Sequence, residues 1–99
     1  MRSVEQYTLA GYFGAQSISM PKGARVLSVH ATHESACVWA LGDPHAPMEK
    51  HRFGVVPTGE EWQSDDEEAL GSFIGTVHLR GGTYVVHIFD MGPEKVTGQ

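Results

Sequence analysis

The chain has 99 residues, 40% apolar and 19% charged, with a formal net charge of -5, a balance that fits one globular domain and excludes intrinsic disorder. Two domains would leave each half below the roughly 55–65 residues at which lone domains are already marginal. No apolar run approaches the roughly 18 residues of a membrane span, and the seven Lys and Arg form no basic stripe, which argues against general binding to nucleic-acid phosphates.

The opening stretch MRSVEQYTLAGYF places Glu5 and Gln6 where a signal peptide needs its apolar core. The expectation is a protein that stays where it is made. The chain then alternates short apolar runs with Gly and Pro punctuation, the all-β signature. QYTLA (6–10) reads as a first strand and QSISM (16–20) as a second, ended by the turn Pro21-Lys22-Gly23. ARVLSVHA (24–31) alternates, with Val26, Ser28 and His30 on one face and Leu27, Val29 and Ala31 on the other. ACVWAL (36–41) returns against it as a hairpin, with Trp39 and Leu41 sharing a face. EKHRFGVV (49–56) is a further strand, stopped by Pro57-Thr58-Gly59; Gly54 inside it signals a bulge or a close backbone approach.

IGTVHLRGGTYVVHIFD (74–90) is the strongest hairpin. Gly81-Gly82 reads as a two-residue type I′ turn, pairing Arg80 with Thr83, Leu79 with Tyr84, Val77 with Val86 and Thr76 with His87. One face then holds Phe73, Val77, Leu79, Tyr84, Val86 and Ile88. The other holds Ile74, Thr76, His78, Val85, His87 and Phe89, which makes His78 and His87 diagonal neighbours. The expected core is Leu27, Val29, Trp39, Leu41, Val77, Val86 and Ile88.

The one cysteine, Cys37, forms no internal disulfide and no C-x-x-C zinc pattern; it reads as a small buried hydrophobe. GEEWQSDDEEALG (59–71) holds Glu60, Glu61, Asp65, Asp66, Glu67 and Glu68 with no base among them. Its ordinary reading is a solvated loop with one helical turn, Ser64 and Glu67 forming a capping box. Its functional reading is an anionic contact surface of Asp65, Asp66, Glu67 and Glu68 with Trp62 as anchor. Trp62 suits better a lid folded back on the core. Of six histidines, only His78 and His87 pair up, and two ligands do not complete a zinc site. G-x-S-x-G, Walker and H-E-x-x-H patterns do not occur in the sequence.

The phrases MPKGARVLSV (20–29), VWALGDPHAP (38–47), PTG (57–59) and FIGTVHLRGGTYVVHIFD (73–90) occur in this order. Together they resemble a family of small proteins encoded by bacteriophages and prophages, catalogued as a domain of unknown function. The resemblance implies a phage origin and action in the cytoplasm of an infected bacterial host. It brings no catalytic residues.

The reading is therefore a single all-β domain over residues 1–91 with a flexible C-terminal tail, 92–99. Six or seven short antiparallel strands close as a small barrel or compact sandwich, with one helical turn near 64–70. The expected function is a non-enzymatic phage accessory protein, without cofactor, that binds a host or phage protein. Two alternatives stand beside it: a minor structural protein of the virion, and a metal-assisted enzyme using His78 and His87.

Overall fold

A computed structural model of the chain describes residues 1–62 and 70–94. Seven strands follow one another: β1 (Ser3–Thr8), β2 (Gly14–Pro21), β3 (Arg25–Thr32), β4 (Ser35–Gly42), β5 (Met48–Pro57), β6 (Ser72–Leu79) and β7 (Tyr84–Pro93). A 3-10 turn, Arg80–Gly82, joins the last two. The strands form two antiparallel sheets, ordered β1-β4-β3 and β2-β5-β7-β6. No ladder joins the sheets among the described residues, so the all-β expectation holds as a sandwich and the barrel alternative falls.

Apolar side chains from both sheets interdigitate in the core, as facing sheets require. Val29, Val38 and Ala40 come from the three-stranded sheet; Met20, Phe53, Val55, Val77, Leu79, Val86 and Ile88 come from the four-stranded one. Phe53, Met20, Val38 and Ile88 are sealed completely, at 0% exposure. Burying such a side chain stabilises by about 1.5–3 kcal/mol.

Strict alternation fails at three bulges, one each in the β3–β4, β5–β7 and β6–β7 ladders. The β3–β4 register shifts between Val26 and Ser28, which leaves Leu27 as the extra residue. Val26 and Val29 thus both meet the core, three positions apart, and Leu27 is turned out to 46% exposure. The expected burial of Leu27 is corrected accordingly. The β6–β7 register shifts between Phe73 and Gly75. Ile74 packs against the core, while Phe73 lies outside, 58% exposed and edge-on to Phe89 at 5.5 Å. A bulge inserts one unpaired residue and so exchanges the faces on either side of it.

Trp39 and Leu41, expected in the core, are half-buried on the outer face of the three-stranded sheet. The parity of β4 puts Ala36, Val38 and Ala40 inside. ACVWAL is apolar at every position, so alternation could not say which set faces inward. The pairs from Leu79↔Tyr84 to Thr76↔His87 stand in the expected register, but the turn is wider. Arg80, Gly81 and Gly82 all have positive φ, at 52°, 66° and 94°, and the Thr83 N–H donates to the Arg80 carbonyl at 3.2 Å. Left-handed Arg80 costs roughly 1–2 kcal/mol. The Glu34 carboxylate offsets this by accepting the Arg80 N–H at 2.9 Å, and the guanidinium lies over the Tyr12 and Tyr84 rings at 5.6 and 5.5 Å.

β7 runs through Gly92 and Pro93, paired with Arg52 and His51, two residues into the expected tail. Residues 95–99 and, of the helical turn expected near 64–70, residues 64–69 lie outside the described residues. Gly71 (φ 87°) is a site where only glycine fits, because a Cβ there would stand 2.1 Å from the Asp90 carbonyl oxygen.

Chemical denaturation of two variants tests these assignments. Val86→Ala is expected to cost roughly 1–3 kcal/mol, as core truncations do, and Leu27→Ala less than about 0.5 kcal/mol, as exposed positions do. Equal losses would refute the β3 bulge.

Candidate functional site

β5 outruns its neighbour. Its pairing with β2 begins at Val55↔Gly14, whereas Val56 and Pro57 pair only with β7. The corner of the sheet is therefore notched. Phe13, just before β2, stands at one side of the notch with 73% of its surface exposed. After Pro57 the chain turns back, the Glu60 N–H donating to the Pro57 carbonyl at 3.1 Å. This brings Trp62 to the other side. Tyr84 and Met91 complete an apolar groove of about 560 Å³, within the size range of ligand pockets.

Gly54 lets the wall form. A Cβ there would meet Trp62 Cη2 at 3.1 Å, Leu70 Cδ1 at 2.9 Å and Met91 Sδ at 3.4 Å. This is the close approach expected of that glycine. Trp62 has folded back, half-buried, onto the outer face of the four-stranded sheet and not over the sandwich core. Met91 reaches the same place because it is the extra residue where the β5–β7 register shifts.

Two residues lining the groove, Arg52 and Trp62, carry donors that find no partner among the described residues. The Trp62 Nε1–H is shielded from solvent without an acceptor among the described residues. Arg52, half-buried, lines the groove and makes no ion pair among the described residues, where His51–Asp90 is the one such pair. Glu60 and Glu61 supply carboxylates at the rim. Behind it, Tyr84 is fixed edge-on to Tyr12, ring centres 5.8 Å apart, and its hydroxyl donates to the Tyr12 carbonyl at 3.3 Å.

His78 and His87 do lie on one face, with Thr76 opposite His87 and Val85 opposite His78. Both ring nitrogens of His87 are engaged, Nε2 with the Thr58 hydroxyl at 2.7 Å and Nδ1 with the Thr76 hydroxyl at 2.9 Å. Metal ligation by His87 would break one of these bonds. No group of three His, Cys, Asp or Glu converges among the described residues. Asp65, Asp66, Glu67 and Glu68 lie outside them.

Two further polar features are structural in character. Buried His51 stacks on Phe53 at 5.0 Å, and its Nε2 meets Asp90 Oδ1 at 2.6 Å. Partial burial works to raise the Asp90 carboxyl. The His51 hydrogen bond, the Gly92 amide at 2.8 Å and the His51 charge outweigh it, so Asp90 titrates below the ordinary carboxylate range. Cys37 is buried, at 1% exposure, yet on the outer face of its sheet. Burial works to raise its thiol, but hydrogen bonds with Thr32, Thr8 and Gln6 prevail and lower it.

Of the groove, sequence reasoning singled out Trp62 and Gly54. Arg52 and Tyr84 were missed, and Phe13 was noted only as a turn residue. The readable signal was the strand stop at Pro57-Thr58-Gly59 placed before a tryptophan.

The model of a family described as a domain of unknown function (DUF7352) matches residues 1–99, and the chain belongs to that family. No curated protein matches it, and no solved structure matches it.

In a Trp39→Phe background, which leaves Trp62 as the one indole, Gly54→Ala is expected to shift emission to the red as the ring is pushed from the strand. Unchanged emission would show that the indole does not rest there. Asp90→Asn is expected to flatten the acid limb of the stability–pH curve. A depressed carboxylate stabilises fully above its unfolded pKa of about 3.9 and loses that contribution as pH falls through its lower folded value. An unchanged acid limb below about pH 4 would contradict the pair's role.

Proposed function

We propose that this member of the DUF7352 family is a non-enzymatic binding protein that docks a protein partner in the groove between Phe13 and Trp62. We take it further to be a phage accessory protein that acts in the cytoplasm of an infected host. The observation that carries the docking reading is Phe13, 73% exposed, facing an indole across an apolar cavity of about 560 Å³. Large aromatics in a concave, apolar setting are the residues that dominate interface energetics. The resemblance of the phrases at 20–29, 38–47, 57–59 and 73–90 to phage and prophage proteins supports the origin and the compartment.

The virion reading keeps the same groove and changes the partner to a capsid or tail protein. The metal-assisted reading is weaker, because the Thr58 and Thr76 hydroxyls hold both nitrogens of His87.

The test uses tagged wild type and Phe13→Asp in infected cells, with a photo-crosslinker at Ala15. Because Phe13 is exposed, the variant is expected to unfold at an unchanged temperature while losing the partner and its crosslink to β2. A partner retained equally by both proteins would sink the groove as the docking site. Mass spectrometry of purified virions showing the protein in fixed stoichiometry would replace the accessory role with the structural one.

A further inference from the structure

We infer that the chain forms a symmetric dimer through the free edge of β2, with Ser17 at the two-fold axis, so that two four-stranded sheets continue as one. The partner is a second copy of this chain. The dimer goes beyond groove docking and does not depend on it.

β2 ends the four-stranded sheet and pairs with β5 alone among the described strands. Its ladder shows which backbone groups that leaves free. The Lys22 N–H donates to the Pro47 carbonyl at 2.7 Å, one step beyond the Pro21↔Met48 pair. Bonded and non-bonded pairs alternate along an antiparallel ladder. Gly14, Gln16, Ile18 and Met20 therefore turn their N–H and C=O groups toward β5. Those of Ala15, Ser17 and Ser19 point away from the sheet, and nothing among the described residues bonds to them. Pro21 closes the row, because it has no N–H and its carbonyl accepts the Ala24 N–H at 3.0 Å.

Exposed strand edges are ordinarily blunted by charge, proline, a bulge or a covering element. The other three end strands are blunted in this way. β1 carries Glu5. β3 and β6 are each interrupted by a bulge, and they cover each other, since a Cβ on Gly75 would stand 3.0 Å from Val29 Cγ2. β2 reads GAQSISMP, without a charge, and its ladder with β5 runs unbroken from Gly14 to Pro21. Its proline lies beyond the open groups. A regular, uncharged edge is a template for another strand.

The open groups are symmetric about Ser17, which makes the edge complementary to itself. A two-fold axis there opposes Ser17 to Ser17 of the partner subunit and Ala15 to the partner's Ser19. Each opposed pair exchanges both N–H···O bonds. On the outer face the opposed side chains, Ala15, Ser17 and Ser19, are small and exposed. On the inner face Gly14 meets the partner's Met20, and Gln16 meets the partner's Ile18, so half-buried Ile18 gains cover. The chain is acidic, at -5, but β2 brings no carboxylate to the contact. Arg52, opposite Ser17 on β5, stands three strand spacings, about 14 Å, from its symmetry mate, beyond a Debye length at physiological salt.

The experiment is sedimentation equilibrium of the purified full chain over a wide range of concentration. Wild type is expected at twice the chain mass of 10.8 kDa. Ser17→Pro removes an N–H that the ladder with β5 does not use, which edge strands tolerate, and is expected to run as a folded monomer. Ser17→Lys keeps the N–H, sets a charge on the axis and is expected to do the same. Oxidation tests the register, since opposed residues about 5.5 Å apart at Cα are within disulfide reach. Ser17→Cys is expected to crosslink to itself. Ala15→Cys and Ser19→Cys are expected to crosslink when mixed and not alone. Wild type is the control for Cys37, which is buried at 1% exposure. A wild type that stays at the mass of one chain at every concentration would overturn the dimer and leave the edge to a different chain. A dimer that survives both Ser17 variants would overturn its assignment to β2. Ala15→Cys crosslinking alone as readily as Ser17→Cys would overturn the axis at Ser17.

Discussion

The pairing of β5 with β7 is the constraint on which the rest of the molecule depends. These are the two central strands of the four-stranded sheet. Inward they carry Phe53, Val55, Val86 and Ile88, each at most 1% exposed. Outward, the same stretch of β5 presents Gly54 and Val56, which form the floor beneath Trp62 and the groove. Core and candidate site are thus two faces of one ladder. A substitution that shifts this register by one residue would turn both faces over together.

Irregularities of the sheets, not their regular parts, make the surface features. β2 stops one pair short of Val56, which opens the notch. Met91 is present in the groove because it is the extra residue of a bulge. Leu27 and Phe73 are exposed for the same kind of reason. Each bulge adds one residue to one strand, so its neighbours meet the core at an interval other than two. Bulged positions are where a sheet re-aims a side chain without changing its core.

The polar groups divide by whether the chain satisfies them. His51 and Asp90, Arg80 with Glu34 and the two tyrosines, and His87 between Thr58 and Thr76 form closed sets of partners. They fix strand ends and the wide turn, as buried and half-buried polar groups generally must. Arg52 and the Trp62 indole are different, since both residues line one cavity and neither donor finds a partner among the described residues.

Much of the architecture was legible in the sequence. Gly and Pro punctuation about every ten residues, with apolar runs between, determined the all-β class and bounded the strands at six or seven. The Gly81-Gly82 pair determined the last hairpin and its register from Leu79 to His87, because a tight turn leaves few alternatives. Gly54 announced a close approach, since a missing Cβ matters only where something comes near. The tertiary structure alone decided which face of ACVWAL points inward, because a run apolar at every position carries no parity. It alone decided the bulges, which depend on how two sheets fit and not on either strand. The meeting of Phe13, Arg52, Trp62 and Tyr84 was likewise beyond the sequence. Four residues spread over seventy positions approach only once β5 has been paired on both sides, and no local pattern encodes a contact made through the rest of the sheet.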